Sequence, residues 1–277
     1  MQKEKMKEDI TISVCMVTYN HAKYIAQAIE GVLAQEAGFG VHLFVGDDAS
    51  TDSTREIVKA YVDKFPDKIT MLTTEKNMGG HLNYLRTLAA CKGRYVAVCE
   101  GDDFWTDKRK LAKQVAFLDE NDDCAICCHP VAIYRETDHD QSQTFPDWPI
   151  KPKSDTVDLL SKNFIGACST VFRNDSRVSY PDWLLDMKIT DWPMNVLRSE
   201  FGLIGYLPEK MSSYRVHAGG THSARTKIYQ FKSIIEAYRR MGIYFGKKHR
   251  GVIMGGMVRT YYFIFKELIK HLLRIKV

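Results

Sequence analysis

In Tyr95–Asp107, YVAVCEGDDFWTD, an apolar run ends at a group of carboxylates. Residues 95–99 have the composition of a buried strand, and Glu100, Asp102 and Asp103 follow at once. Like charges this close repel one another, and burial makes each charge costlier. The sequence therefore predicts that something cationic shares the site.

Strands and helices alternate around this stretch. Apolar residues at helical spacing, as in AKYIAQAIEGVLAQ, separate short β-rich runs, which is typical of right-handed crossovers and a mainly parallel sheet. The predicted strands are ITISVCMVTYN, VHLFVGDDAS, KITMLTT and RYVAVCEGDD. Each ends in polar residues, and the carboxyl ends of parallel strands share one edge, where ligands bind. The Gly-rich dinucleotide fingerprint is absent after the first strand, which argues against a nicotinamide-binding fold.

Several local predictions follow from patterns further along the chain. Ser53 and Glu56 have capping-box spacing at the start of a helix. DENDDCAICCHPVAIYRE and FIGACSTVFRN each read as one strand, and the polar segment from about residue 137 to 155 reads as a loop. Asp191 is predicted near the start of a helix with Pro193 in its first turn.

Composition narrows the class of protein. The chain has 277 residues and seven scattered cysteines, an odd number that favours a reducing compartment over a disulfide framework. No matching Cys or His pair accompanies the motif CAICCH, so a buried strand is favoured over a zinc site there. We expect no secretory signal in the charged first ten residues and no membrane-spanning helix.

Charge is unevenly distributed. The net charge is +5, but residues 225–277 hold 13 Lys/Arg and 2 Asp/Glu, a balance of +11, which leaves −6 for the first 224 residues. The last stretch, MVRTYYFIFKELIKHLLRIKV, is apolar and aromatic but interrupted by basic residues, as in a basic amphipathic helix that lies in a membrane interface. The alternatives are a docked core helix and a dimer face, and the charge alone also allows nucleic acid.

The acids of Tyr95–Asp107 have two interpretations, a metal site and a helix cap. A carboxylate-x-carboxylate turn after a strand suits Mg²⁺ or Mn²⁺, which prefer oxygen ligands and share them with substrate phosphates. The other reading is an acidic cap on the helix that follows, since carboxylates are stabilised near a helix N-terminus. Trp105 and Trp192 adjoin the candidate acids and could stack on a sugar or belong to the core.

Five motifs in order resemble the family 2 glycosyltransferases, and the resemblance covers nearly all of the first 224 residues. They are SVCMVTYNHAKYIAQAIEGVLAQ, VGDDASTDSTREIV, NMGGHLNYLRTLAACKGRYVAVCEGDDFW, TDWP and YRVHAGGTHS. The second resembles the family motif D-D-G-S-T-D, with Ala49 in place of glycine. The third includes a D-x-D-like motif in which Glu100 is the first acid.

The resemblance implies an α/β, GT-A fold with a mainly parallel nucleotide-binding sheet and C-terminal helices. It implies a glycosyltransferase domain over residues 1–224, with a nucleotide-sugar-binding half at about 1–135 and an acceptor half at 136–224. Residues 225–277 form the basic tail. The segment AGGTHS is expected to close over bound donor, since paired glycines give it conformational freedom.

Site residues are carried over from the resemblance, one by one. Asp191 would be the general base, although an N-cap role is the alternative, and Asp102 would ligate the metal with His217 nearby. The residues implied around the nucleotide-sugar are Thr18 and Tyr19 at the base, Asp48 at the uracil ring, Asn77 and Asn83 near the nucleotide, Glu100 on the ribose side and Asp103 at the sugar.

The implied activity is inverting, metal-dependent transfer from a nucleotide-diphosphate donor, most simply a UDP-sugar. The implied acceptor is a saccharide or lipid-linked glycan in cell-surface polysaccharide synthesis, on the cytoplasmic face of the membrane. A nucleotidyltransferase would need phosphate-gripping basic residues after the first strand, where only Lys23 occurs. Loss of Asp102 or Asp191 would favour a non-catalytic nucleotide-sugar binder, but both are present. Nucleic acid would explain the tail but not the acids, so it is not expected as a partner.

Overall fold

Two sheets organise residues 10–137, 139–220 and 225–274, which are the residues that the computed structural model describes. The larger sheet has eight strands in the order β3-β2-β1-β4-β10-β6-β11-β9, and the smaller has four in the order β5-β12-β7-β8. The strands are β1 Ile10–Thr18, β2 Gly40–Asp47, β3 Ile69–Leu72, β4 Tyr95–Val98, β5 Phe104–Trp105, β6 Cys124–Cys128, β7 Val131–Arg135, β8 Thr144–Phe145, β9 Lys153–Ser154, β10 Val171–Arg173, β11 Leu203–Tyr206 and β12 Ser212–Val216.

Eight α-helices occur in the described part of the chain. They are α1 Ile25–Leu33, α2 Thr54–Lys64, α3 Gly80–Ala90, α4 Lys110–Glu120, α5 Thr156–Ser161, α6 Asp191–Ser199, α7 Lys227–Phe245 and α8 Arg250–Arg274. Short 3₁₀ turns occupy Ala167–Ser169 and Asp182–Leu184. None of the described helices has a stretch that is both long and apolar enough to span a bilayer.

Helices cover both faces of the larger sheet because successive side chains of a strand point to opposite sides. Ile12, Val14 and Met16 of β1 pack in one core with α1 and α4. Cys15 of β1 belongs to the other core, which includes residues of α3 and α6. The β-rich, nearly uninterrupted apolar runs of β1 and β4 follow from burial on both faces.

The predicted α/β fold with a mainly parallel sheet is confirmed. Strands β3, β2, β1 and β4 are mutually parallel, and β6 and β11 run in the same direction. β10 is antiparallel to both β4 and β6, and β9 is antiparallel to β11. β10 comes from the predicted acceptor half yet lies between two strands of the predicted nucleotide half.

Four local predictions were wrong. Residues 119–136 hold two strands, in different sheets, because Pro130 lacks the N–H that a continuous ladder needs. Residues 164–174 hold only the three-residue strand β10, and the predicted loop 137–155 contains β8 and β9. Ser53 is the N-cap of α2 but makes no capping bond; Asp52 Oδ1 instead accepts from the Thr54 backbone N–H at 3.0 Å.

The basic tail packs on the body through its first half. Ala237, Tyr238 and Met241 of α7 and Ile253 of α8 belong to the core shared with α3 and α6, and the Tyr238 hydroxyl donates to Leu160 O at 2.8 Å. Beyond Thr260 most side chains of α8 are exposed, including Tyr261, Phe265 and Leu268. α8 is therefore docked over its first half and largely exposed over its second, where Phe263 stacks on Phe231 of α7 with ring centroids 5.8 Å apart.

Candidate active site

The acidic turn between β4 and β5 lies against the end of β1. The Gly101 N–H donates to Val17 O at 2.9 Å. A Cβ added at Gly101 would come within 2.9 Å of the Thr18 Cβ, so glycine is needed where the two strand ends approach. The prediction that strand ends converge is thereby confirmed for β1 and β4, and Thr18 lies buried beside the acids.

Asp102 lies between two imidazoles. Its Oδ2 is 3.1 Å from His217 Nε2 and 3.8 Å from His21 Nε2. The rings of His21 and His217 are edge-to-face with centroids 6.3 Å apart, and Tyr24 packs on His217 at 4.6 Å. Burial acts to raise the pKa of Asp102, but the hydrogen bond from His217 and the charge of His21 hold that pKa below its usual value. The structure thus brings together Asp102 and His217, as predicted, and adds His21.

The other two acids of the turn have raised pKa values. Burial raises the pKa of Glu100 well above its usual value, and the neighbouring charges of Asp103, Asp102 and Asp191 add to the shift. Burial and the charge of Asp102 likewise raise the pKa of Asp103. Glu100 and Asp103 therefore favour their protonated forms, and a bound cation would favour the ionised forms instead.

Asp191 is the first residue of α6 and has an exposed side chain, with Thr190 at the N-cap and Pro193 in the first turn. Its charge is among the causes that raise the pKa of Glu100, so the two carboxylates are close enough to interact. His81 in the first turn of α3 also interacts with Asp191: burial lowers the pKa of His81, and the Asp191 charge acts to raise it. Sequence reasoning missed His81.

The turn after β2 is held by its own two aspartates. Asp47 Oδ2 accepts from Arg55 Nε at 3.0 Å and Nη2 at 2.9 Å. Asp48 accepts from the backbone N–H groups of Met78 at 2.8 Å and Gly79 at 3.0 Å. Asp48 therefore links the β2 turn to the start of α3, and its predicted contact with a uracil ring stays a prediction.

The predicted nucleotide neighbours fall into two groups. Tyr19 is exposed beside β1, and Asn77 donates to Asp48 O at 3.1 Å, so both lie at the strand edge. Asn83 is buried: it donates to Gly46 O at 2.7 Å and accepts from Arg86 Nη2 at 2.6 Å. Its amide joins α3 to β2, and a direct nucleotide contact stays a prediction.

Ala49 has a positive φ of 58° in the turn after Asp48. This left-handed conformation favours glycine, which is the residue in the motif that the stretch resembles. Asn20, in the facing turn after β1, also has positive φ, 56°, and its Oδ1 accepts from the Thr51 N–H at 2.8 Å. The two turns are thus bonded to each other and form one wall of the site.

The remaining predicted features lie in the core or, in part, outside the described residues. Trp105 and Trp192 are buried and donate to backbone carbonyls of Cys168 and Leu159, so both belong to the core. All five residues of β6 are buried, as predicted for a core strand. The segment expected to close over a donor is described only as far as Gly220; residues 221–224 lie outside the described residues.

One pair of the described side chains, Asp102 and His217, offers donor atoms that suit a divalent cation. The described residues contain no group of three or more His, Cys, Asp or Glu side chains arranged to hold a metal ion. Asp102 and His217 nevertheless present an oxygen and a nitrogen to each other at 3.1 Å, among carboxylates with raised pKa values. Two protein ligands are enough for a cation that takes its remaining ligands from phosphates and water.

Known proteins resemble most of this chain in sequence. A protein of Mycobacterium tuberculosis is 39% identical over 223 residues, which are 79% of this chain and 63% of that protein, so the chain spans less than two thirds of that relative. A Bacillus subtilis protein, named as a teichuronic acid biosynthesis glycosyltransferase, is 29% identical over 208 residues, 74% of this chain and 79% of its own length.

Solved structures share the fold. Staphylococcus aureus TarS 1-349 in complex with UDP-GlcNAc superposes with a TM-score of 0.69 at 18% identity, over 91% of this chain and 73% of that one. Pyrobaculum calidifontis mannosyltransferase PcManGT, in complex with GDP-Man and Mn²⁺, superposes with a TM-score of 0.65 at 16% identity, over 91% and 70%. These likenesses and the architecture establish the GT-A fold. The model of glycosyl transferase family 2 matches residues 13–177, and the chain belongs to this family.

Proposed function

We propose that the protein is a glycosyltransferase that moves a sugar from a nucleotide-diphosphate donor to a glycan or lipid-linked acceptor. The observation that carries the proposal is Asp102, held 3.1 Å from His217 within a group of acids at the carboxyl edge of the sheet. Family membership supports the reaction class. UDP-GlcNAc and GDP-Man in the two similar structures support a nucleotide-sugar donor, and a UDP-sugar is our choice between them.

Metal dependence is the second part of the proposal. Asp102 and His217 would hold Mn²⁺ or Mg²⁺, and the cation would supply charge neutralisation for the departing diphosphate. Mn²⁺ in the similar mannosyltransferase structure supports this assignment. The chain itself contributes a group of carboxylates, Glu100, Asp102 and Asp103, that are held close together. Glu100 and Asp103 would border the ribose and sugar, and their raised pKa values would return toward normal beside a cation.

Asp191 would act as the general base in an inverting transfer. An acceptor hydroxyl attacks the anomeric carbon from the face opposite the diphosphate, and a carboxylate within hydrogen-bond reach takes the proton. Asp191 suits this role because its side chain is exposed at the start of α6 while its charge still acts on Glu100.

The base and ribose would lie along the β1 and β2 turns. Tyr19 offers an exposed ring at this edge, with Thr18 behind it. Asn77 donates a hydrogen bond to the Asp48 backbone oxygen, and the Asp48 carboxylate accepts one from the Met78 N–H. These bonds would keep the turn in place whether or not nucleotide is bound. Asn83 would support the pocket from inside rather than line it.

The exposed half of α8 would bring the enzyme to its acceptor at an anionic membrane surface. Tyr261, Phe265 and Leu268 are exposed, and Lys266 and Lys270 lie among them on the same helix. Apolar side chains with interspersed lysines fit an interfacial helix on the cytoplasmic leaflet, where anionic lipids attract them. Together with the similar teichuronic acid enzyme, this favours cell-surface polysaccharide synthesis. A homodimer through the same face is the alternative.

The proposal is tested by isothermal titration of UDP into the protein with Mn²⁺ and then with EDTA. We expect binding that Mn²⁺ strengthens, and that Asp102→Asn weakens by about 10-fold or more only when Mn²⁺ is present. Asp63→Asn, an exposed carboxylate on α2, is the matched control. Equal binding with Mn²⁺ and EDTA would reject the metal assignment. If UDP, GDP and dTDP all fail to bind, the nucleotide-sugar proposal is rejected.

A further inference from the structure

Arg215 is a buried cation at the junction of the two sheets. It lies on β12, two residues before His217, and only 7% of it is exposed. Three aromatic rings surround its guanidinium: the Cζ atom is 4.8 Å from the ring centroid of Tyr24, 4.9 Å from that of Phe104 and 5.0 Å from that of Tyr134. Cation–π contacts of this kind gain strength when the cation is desolvated.

Its hydrogen bonds reach the acidic turn directly. Arg215 Nε donates to the backbone oxygen of Asp102 at 2.7 Å, and the Arg215 backbone N–H donates to Asp103 Oδ1 at 2.8 Å. Nη2 donates to Gln27 Oε1 on α1 at 2.6 Å. One side chain thus ties the acidic turn to a helix and to strands of the smaller sheet.

These contacts fix the direction of two candidate ligands. Holding the carbonyl of Asp102 restricts the turn from which its carboxylate projects. Arg215 lies two residues before His217, so holding Arg215 in place also limits where His217 can lie just beyond the end of β12. The distance from His217 Nε2 to Asp102 Oδ2, 3.1 Å, therefore depends on a group that touches neither side-chain atom.

We propose that Arg215 is a positioning residue that pre-arranges Asp102 and His217 for a cation and the diphosphate that it carries. The proposal rests on the proposed function. Lysine cannot replace arginine here, because a single ammonium lacks the planar set of donors that reach Asp102 O and Gln27 Oε1 while facing three rings. Groups that hold metal ligands in place commonly change metal affinity by 10- to 100-fold when altered.

The test compares Arg215→Lys, Arg215→Met and Gln27→Leu with wild type. Mn²⁺ affinity is measured by electron paramagnetic resonance in the presence of UDP, UDP affinity is measured in EDTA, and melting temperature is followed in parallel. We expect both Arg215 variants to lose about 10-fold or more in Mn²⁺ affinity, with UDP affinity in EDTA within about twofold of wild type. Gln27→Leu removes the bond to Arg215 Nη2 but leaves every contact of Arg215 with the acids intact. We expect it to lower Mn²⁺ affinity as well, but by less.

Arg135→Met is the matched control, since Arg135 lies on the neighbouring strand β7 and its guanidinium contacts Gln143 near the surface. Should Arg215→Met unfold, Arg215→Lys and Gln27→Leu still decide the matter. Lower melting temperatures with unchanged Mn²⁺ affinity would overturn the positioning role and leave the proposed function standing. A wild type that shows no Mn²⁺ binding with UDP would overturn both.

Discussion

His217 Nε2 lies 3.1 Å from Asp102 Oδ2, although 115 positions separate the two residues in the chain. The first stands at the end of a strand in the smaller sheet, and the second follows a strand of the larger sheet. The candidate active site is thus assembled where the sheets meet, and its chemistry depends on keeping that junction rigid.

The first prediction concerns Asp191. Replacement by asparagine keeps the shape of the side chain but removes its ability to take a proton, so we expect sugar transfer to fall by about 10²- to 10⁴-fold. Donor affinity should stay within about twofold, since the role assigned to Asp191 is proton removal. Transfer is measured with a panel of UDP-sugars, with Asp186→Asn as the control because Asp186 is exposed in the segment before α6. Normal transfer together with collapsed donor affinity would contradict the base role.

The second prediction is a pH dependence of stability. The pKa values of Glu100 and Asp103 are raised in the folded protein, so folding favours their protonated forms. In EDTA, the stabilisation that these two groups contribute is fully present below the ordinary carboxyl pKa values of 4.5 and 3.8, and it should be lost as pH rises through the raised values.

Mn²⁺ should reduce that fall, because a cation lowers both pKa values again. The measurement is melting temperature against pH, with Mn²⁺ or EDTA. Glu100→Gln should flatten the EDTA curve, and Glu75→Gln, on an exposed loop, should leave it unchanged. A Glu100→Gln curve that runs parallel to the wild-type curve in EDTA would contradict the assignment.

The third prediction concerns backbone strain at Ala49. Its φ of 58° is costly for an alanine, so Ala49→Gly should stabilise the protein by roughly 0.5–1 kcal/mol after the greater freedom of glycine in the unfolded chain is counted. Ala60→Gly in the exposed face of α2 should instead destabilise by roughly 0.5–1 kcal/mol. Urea unfolding at constant m-value measures both. Destabilisation by both substitutions would show that the turn gains nothing from glycine.

The fourth prediction concerns the exposed half of α8. Tyr261→Ser, Phe265→Ser and Leu268→Ser in one chain should weaken binding to anionic vesicles by at least about 10-fold, since each large apolar side chain contributes roughly 1.5–3 kcal/mol when fully buried. The three side chains are exposed, so the melting temperature should change little.

Sedimentation with vesicles that contain phosphatidylserine measures the effect, and phosphatidylcholine vesicles show how much depends on charge. A matched variant, Lys59→Ser on the exposed face of α2, controls for surface substitution. Unchanged vesicle binding combined with loss of a dimer in light scattering would reject the membrane surface in favour of a second copy.

Local patterns predicted the parts of the fold that depend on local physics. β1, β2 and β4 and the helices between them follow from apolar periodicity and the polar residues at strand ends. The sheet order was out of reach, since nothing in Val171–Arg173 itself shows that this short strand runs antiparallel between β4 and β6. Pro130 was the visible signal for the break between β6 and β7, and it was overlooked.

Sequence patterns likewise predicted some residues of the candidate site and missed others. Asp102, Asp103 and His217 could be found because they lie in motifs of adjacent residues. Arg215 and His21 could not, because each matters only through contacts with residues 81 or more positions away, and a lone histidine or arginine carries no signal of its own. Asn83 lies in a motif, yet its amide is turned into the core, since side-chain direction is set by the packing of α3 on β2.

The position of β10 also constrains how the chain can be built. β4 pairs with β1 on one edge, but its other edge has no partner until residues 171–173 have been synthesised, and β6 gains its two partners only with β10 and β11. Until then these edges present open rows of backbone N–H and C=O groups, which favour incorrect pairing. The larger sheet can therefore be completed only after the middle of the chain has been made. A fragment that ends at residue 135 should aggregate rather than bind nucleotide, because its half of the site rests on a sheet with a missing strand.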